Sequence, residues 1–349
     1  MGRVSVTASK DDGSVEGVDT TRVTDWLVGQ IAGLRPPLEF SLIAGGHSNL
    51  TYRFADQAGA EYVLRRPPLG HVLESAHDMA REHRIVSALA GTDVPVAPTH
   101  GLCEDQDVNG APFYVMSYVR GAVLHDAEAA RELDPAERFA LGEDVIDVLA
   151  RLHAIDPDAV GLGTLGRKEA YLARQLNRWK KQWAASKTHE IPEMEETARL
   201  LEENMPEQIG AAIVHGDYRL GNMIVGGGRI LAVLDWELCT LGDPLADVGY
   251  LLNNWIQPED AAGELVPTAA GGFPTREALC ALYTAATGRD LSGINYYRAF
   301  SHWRLAAIGQ GVYKRYLVGA MGDRPDMDLE TYKASVQQRA AAALELLTV

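Results

Sequence analysis

Lysine is missing from most of the first half of this chain: none stands between Lys10 and Lys168. Any cation that chemistry needs in that stretch has to be an arginine. Cysteine is scarce as well. Cys103, Cys239 and Cys280 are odd in number and form no CxxC pair, which argues against a disulfide framework or a zinc site and for a reducing, cytoplasmic setting. No apolar run approaches the roughly 20 residues of a membrane span, and the N-terminal MGRVSVTASKDDGSVEGVD lacks a signal-peptide core. Acidic residues outnumber basic ones to a net charge of -16, so neither nucleic acid nor an anionic membrane is an expected partner.

What is present suffices for two lobes: 349 residues, 46% hydrophobic. Residues 1–18 are polar and aperiodic and read as a disordered or loosely docked tail. Residues 19–119 read as a first lobe. A helix carrying Val23, Trp26, Leu27 and Ile31 is followed by alternating runs at 38–43, 49–54 and 61–65, a helix over 76–90 and a strand over 112–119. Residues 120–349 read as a second, mostly helical lobe. Its first long helix starts at Pro135 and buries Leu141, Val145, Val148, Leu149 and Leu152. His153 at the end of that stripe reads as a core histidine.

The stretch from His215 to Asp247 carries the chemistry. It holds an H-x-D-x-x-x-x-N run, a glycine turn at Gly226-Gly227-Gly228, and then Asp235-Trp236-Glu237. Phosphoryl transfer needs a carboxylate to orient and deprotonate the attacking hydroxyl, and oxygen ligands for the metal on the nucleotide phosphates. Asp217 suits the first role, and Asn222 with Asp235 the second. A hairpin through the glycines is expected to set Asn222 and Asp235 side by side, facing one magnesium ion. His215 reads as a hydrogen-bonded brace, since Asp217 is the better partner for a hydroxyl.

In this order, and followed by Gly242-Asp243-Pro244-Leu245-Ala246-Asp247, these residues resemble the aminoglycoside phosphotransferase and choline kinase group, relatives of the protein kinases. The resemblance implies an α+β, protein-kinase-like bilobal fold. A nucleotide-binding first lobe has an antiparallel sheet and one main helix, the second lobe is mostly helical, and the active site lies in the cleft. ATP or another nucleoside triphosphate and Mg2+ are the implied cofactors. Gly45, Gly46, His47 and Ser48 would form the turn over the phosphates; without the resemblance, the glycine pair reads as an ordinary hairpin. The strand cation would be Arg65, which alternation puts on the face of Val63 and opposite Leu64 and Arg66. Glu82 would be its partner and Val63 the floor of the adenine pocket. The competing readings are a surface arginine pair and a solvated glutamate. Met116 would stand as gatekeeper, with Ser117 and Tyr118 offering backbone groups to the base. Asp243 and Asp247 would brace the catalytic loop by accepting its backbone amides.

The acceptor side reads as basic and aromatic. Arg174, Arg178 and Trp179 on one helix, and Trp303, Arg304 and Tyr313 on another, suit an anionic, partly planar small molecule. Core tryptophans and solvated arginines are the competing reading. RQLNRWKKQWAASK and FSHWRLAAIGQGVYKR are similar to kinase-like domains fused to some acyl-CoA dehydrogenases, over roughly residues 35 to 345. This similarity implies a CoA thioester, a hydroxyacyl-CoA, as acceptor. Two alternatives stay open: an aminoglycoside, macrolide or amino-alcohol kinase using Glu259, Asp260 and Glu264, and a non-catalytic nucleotide-binding module.

Overall fold

The computed structural model describes residues 15–44, 49–69, 78–257, 260, 266–319 and 328–348. The chain forms two compact units, Met1–Ala122 with Leu231–Glu237, and Val123–Ile230 with Leu238–Val349.

In the first unit Asp19 caps α1 (Thr20–Gln30), its carboxylate accepting the Arg22 amide at 3.0 Å. The strands are β1 (Glu39–Ala44), β2 (Leu50–Ala55), β3 (Glu61–Arg66), β4 (Thr99–Cys103) and β5 (Phe113–Ser117). They pair antiparallel in the order β1-β2-β3-β5-β4. Helix α2 (Met79–Leu89) lies between β3 and β4 in sequence, and the short α3 (Gln106–Asn109) between β4 and β5. Alternation along β3 splits its side chains between two cores. Leu64 packs with Val23 and Leu27 of α1, whereas Val63 packs with Met79 of α2, Tyr114 and Met116.

The expected loose tail ran to residue 18, and residues 1–14 of it lie outside the described residues. Val15 and Val18 form a bridge and pack on the α1 core, and the Tyr52 hydroxyl donates to the Glu16 carbonyl at 2.6 Å. These last four residues are docked by the packing of Val15 and Val18 and by hydrogen bonds to the Glu16 and Gly17 carbonyls.

The remainder of the chain runs β6 (Ala122–Val123), α4 (Ala127–Arg131), α5 (Pro135–Ala154), α6 (Tyr171–Ser186), α7 (Pro192–Glu203), β7 (Ala212–Val214), β8 (Met223–Gly226), β9 (Arg229–Val233), β10 (Thr240–Gly242), α8 (Leu245–Asn253), α9 (Arg276–Thr287), α10 (Ile294–Leu317) and α11 (Leu329–Thr348). The boundaries between the units fall within β6, within β9 and within the 3-10 turn Trp236–Leu238. A capping box of Asp134 and Glu137, with Pro135 at the first turn, starts α5, and its five-residue apolar stripe is fully buried. Strands β7 and β10 pair antiparallel, flanking the segment from His215 to Cys239. Between β8 and β9, Gly227 and Gly228 take φ of 59° and 69°, as a two-residue type I′ turn requires. Among the described residues no helix is long and apolar enough to cross a membrane.

Candidate active site

Arg65 occupies the position that alternation gave it. Its Nη2 lies 3.1 Å from Glu82 Oε1 of α2 and 3.4 Å from Asp235 Oδ1. Both Arg65 and Glu82 are nearly inaccessible, with side chains 13% and 3% exposed. Burial works against the Arg65 charge, but Glu82, then Tyr114, Asp235 and Glu237, outweigh it and hold its pKa above the ordinary arginine value. Burial pushes Glu82 above the usual carboxylate range while Arg65 pulls it back. Tyr114, opposite Arg65 on β5, hydrogen-bonds Glu82 from a buried position. No sequence signal separated this tyrosine from a core strand residue. Arg66, on the other face, is committed to the carbonyls of Gly17, Pro67 and Asn109.

Val63 and Met116 face each other across β3 and β5, both buried in one cluster. Of the backbone groups of Ser117 and Tyr118, the amides are engaged within the protein. The Ser117 amide donates to Pro98 at 2.8 Å and the Tyr118 amide to Glu61 at 3.2 Å, so both donors are spent on protein carbonyls. Gly45, Gly46, His47 and Ser48 lie outside the described residues. Asp235 adopts φ of 64°, a left-handed conformation costing about 1–2 kcal/mol for a residue with a Cβ. Strain of this kind collects at sites where geometry matters more than stability.

The second unit builds the loop around Asp217. Asp247, in the first turn of α8, accepts the His215 amide at 2.6 Å on Oδ2 and the Gly216 amide at 2.8 Å on Oδ1. His153 Nε2 lies 3.3 Å from the same carboxylate, and its Nδ1 meets the Tyr283 hydroxyl at 2.7 Å. Burial alone would raise the pKa of Asp247, but His153, His215 and the Gly216 amide outweigh it and bring it below the usual value. The carboxylate therefore stays charged at neutral pH and fixes two consecutive peptide planes. Gly216 is left-handed, φ 86°, and a Cβ there would come within 3.0 Å of the Leu238 carbonyl.

On that loop the Asp217 amide donates to His215 Nδ1 at 3.2 Å. Asn222 Nδ2 donates to Asp217 Oδ2 at 2.7 Å and to the Asp217 carbonyl at 2.9 Å. Asn222 ends a 3-10 turn, Leu220–Asn222, just before β8, and this curl folds its amide back onto Asp217. Arg219 Nε donates to Asp217 Oδ1 at 3.3 Å, and the Tyr250 hydroxyl donates to the same oxygen.

Asp243 does not share the brace. Its Oδ1 accepts the Leu245 amide at 3.0 Å at the start of α8 and its Oδ2 the Tyr297 hydroxyl at 2.8 Å, so it anchors α8 rather than the loop. The acceptor candidates also divide. Trp303 is fully buried, its Nε1 donating to the Met194 carbonyl at 3.0 Å, and Tyr313 is buried beside His189. Burying such rings stabilises the fold by a few kcal/mol each, which favours core over ligand contact. Arg304 reaches the Gly216 carbonyl at 2.9 Å. Arg174 donates to the Arg167 carbonyl at 2.6 Å, and the exposed Arg178 lies over the Trp179 ring at 5.1 Å.

The profile of the phosphotransferase enzyme family (APH) matches residues 39–282. Mouse acyl-CoA dehydrogenase family member 10 is 40% identical over 297 residues, which are 81% of this chain and 27% of that protein. The chain spans 27% to 40% of the length of the curated relatives it matches. A crystal structure from Ralstonia eutropha, provisionally described as an aminoglycoside phosphotransferase, is 36% identical with a TM-score of 0.80, covering 94% of this chain and 98% of its own. The ADP-bound aminoglycoside phosphotransferase APH(2'')-Ib is 17% identical with a TM-score of 0.59, covering 94% of this chain and 99% of its own, and shares the kinase-like fold. A loop that orients Asp217, an arginine of a five-stranded sheet paired with a glutamate of α2, and a family profile covering most of the chain agree, and the chain belongs to the phosphotransferase enzyme family.

Proposed function

We propose that this phosphotransferase is an ATP- and Mg2+-dependent kinase that moves the γ-phosphoryl group to the hydroxyl of a small molecule bearing an acidic group, a hydroxyacyl-CoA being the candidate class. The observation that carries the reading is Asp217: its carboxylate is oriented by Asn222, and its loop is fixed from behind by the buried charge of Asp247. A carboxylate so held suits general-base work on a hydroxyl.

The residues present fit a nucleotide and a metal. Asp235 and Asn222 offer hard oxygen donors, and magnesium takes one or two such ligands with phosphates and water. Arg65 Nε is buried and has no hydrogen-bond partner among the described residues, an orphaned donor that a phosphate oxygen would satisfy. Held by Asp235 and Asn222, a magnesium ion would supply positive charge against the charge that develops on the phosphates. Arg65, kept charged by Glu82, holds phosphate, and Asp217 takes the acceptor's proton. The hydroxyacyl-CoA class is supported by the similarity to an acyl-CoA dehydrogenase family member over 81% of this chain. After removal of Trp303 and Tyr313 to the core, Arg174, Arg178 and Trp179 are the residues left to favour an anionic acceptor.

ADP release with ATP, magnesium and short hydroxyacyl-CoAs tests the reading. Turnover is expected, with a loss of about 10²-fold or more in Asp217→Ala while nucleotide still binds. Failure of coenzyme A to bind, with turnover on an amino alcohol or sugar, would overturn the acceptor class and keep the kinase. Turnover undiminished in Asp217→Ala would overturn the assignment of the base.

A further inference from the structure

Tyr250 lies one turn beyond Asp247 on α8, so the two share a face of that helix. Asp247 grips the backbone of the catalytic loop through the His215 and Gly216 amides, while Tyr250, 7% exposed, reaches the side chain of Asp217 from the same helix. Arg304 of α10 ties the two grips together. Its guanidinium lies 5.4 Å from the centre of the Tyr250 ring, and its Nη2 donates to the Gly216 carbonyl at 2.9 Å.

An ionised carboxylate offers about four lone-pair positions, two on each oxygen. On Asp217, Oδ1 already accepts from the Tyr250 hydroxyl and Arg219 Nε, and Oδ2 accepts from Asn222 Nδ2. Among the described residues no donor takes the remaining position, on Oδ2. We propose that Tyr250 is a positioning residue for the transfer: with Arg219 it fills Asp217 Oδ1 and so directs the acceptor hydroxyl to Oδ2, beside Asn222. This rests on the reading of Asp217 as the base. In the step, the acceptor O–H bond breaks and its proton passes to Oδ2. The acceptor oxygen bonds to the γ-phosphorus as the bond from phosphorus to the leaving diphosphate breaks. Tyr250 keeps its own proton. Burial, and then the charge of Asp217, hold its phenol above the ordinary tyrosine value, so it remains a donor through neutral pH.

The test is Tyr250→Phe, which keeps the ring against Arg304 and removes only the hydroxyl. Expected are an unchanged melting temperature, an unchanged KM for ATP, and a kcat lower by about 10- to 100-fold, part of what a positioned base contributes. The loss should vanish in an Asp217→Asn background, because the tyrosine acts through that carboxylate. A wild-type kcat in Tyr250→Phe, or the same fractional loss in both backgrounds, would overturn the proposal. A second readout needs no turnover. In protein labelled with 3-fluorotyrosine, the 19F resonance absent from Tyr250→Phe identifies position 250. Its phenol should titrate at lower pH in Asp217→Asn than in wild type; an unmoved titration would overturn the contact itself. An inactive wild type with a shifted 19F titration would count against the kinase reading and leave the contact standing.

Discussion

Arg65 shows how far one side chain can be read before it is seen. Absence of lysine from the first lobe and strand alternation left Arg65 or Arg66 as the cation, and the sheet separates them: one meets Glu82 and the other the carbonyls of Gly17, Pro67 and Asn109. Removing the charge from a pair this buried leaves Glu82 unpaired. Arg65→Ala is therefore expected to cost about 3–5 kcal/mol in urea unfolding. Arg65→Met with Glu82→Leu should recover most of that stability, since apolar isosteres often replace buried pairs without loss. Nucleotide affinity, measured by calorimetry, should stay weak in both variants; wild-type affinity in the double variant would remove the phosphate role. Asp243 and Asp247 were not separable by pattern. Both stand at the start of one helix, and which carboxylate faces His215 depends on where the loop passes. Tyr250 carried no signal at all, because a tyrosine in an apolar helix usually packs as core.

Helices and strands differed in how openly they declared themselves. The stripe of α5 and the alternation of β2 and β3 repeat at the period of their own backbone, so they were readable. Strand β4, Thr99–Cys103, was not. Its sequence THGLC has no alternation, its pairing with β5 shifts between Thr99 and Gly101, and a Cβ at Gly101 would meet Trp26 at 3.1 Å. Its neighbours define it as a strand. The start of α6 gives a prediction at this scale. Ala170, just before Tyr171, is exposed and left-handed with φ 51°, and its own side chain offers no cap; the Tyr171 amide donates instead to Gln208 Oε1 at 2.9 Å. Ala170→Gly is expected to stabilise by about 1 kcal/mol, the strain released less the added chain entropy of glycine. A lower urea midpoint in the variant would refute this account.

For the molecule as a whole, pH dependence gives a global test. Burial, and then Arg339, Arg298 and Arg276 from three different helices, push His302 of α10 from an ordinary 6.5 down to about 4. Between those values the unfolded chain binds a proton that the folded chain refuses, so stability is full above about 6.5 and falls as pH drops toward about 4. The contribution lost by about pH 4.5 is about 2–3 kcal/mol. His302→Gln, which cannot titrate, should flatten the difference between urea unfolding at about pH 7 and about pH 4.5 by that amount. An equal difference in both proteins would place the acid sensitivity elsewhere. Such a group is invisible in sequence, since its neighbours arrive from α9, α10 and α11.

The sequence by itself determined the family and the class of chemistry: the ordered run that holds Asp217, Asn222 and Asp235, the arginine on β3 and the periodicities of the long elements are local, and local patterns survive without coordinates. The division of the basic and aromatic stripes was decided only by tertiary structure. Trp303 and Tyr313 went to the core while Arg304 and Tyr250 closed on the catalytic loop. On a helix packed on several sides, periodicity says that a residue is buried but not against what, and that choice belongs to the neighbours.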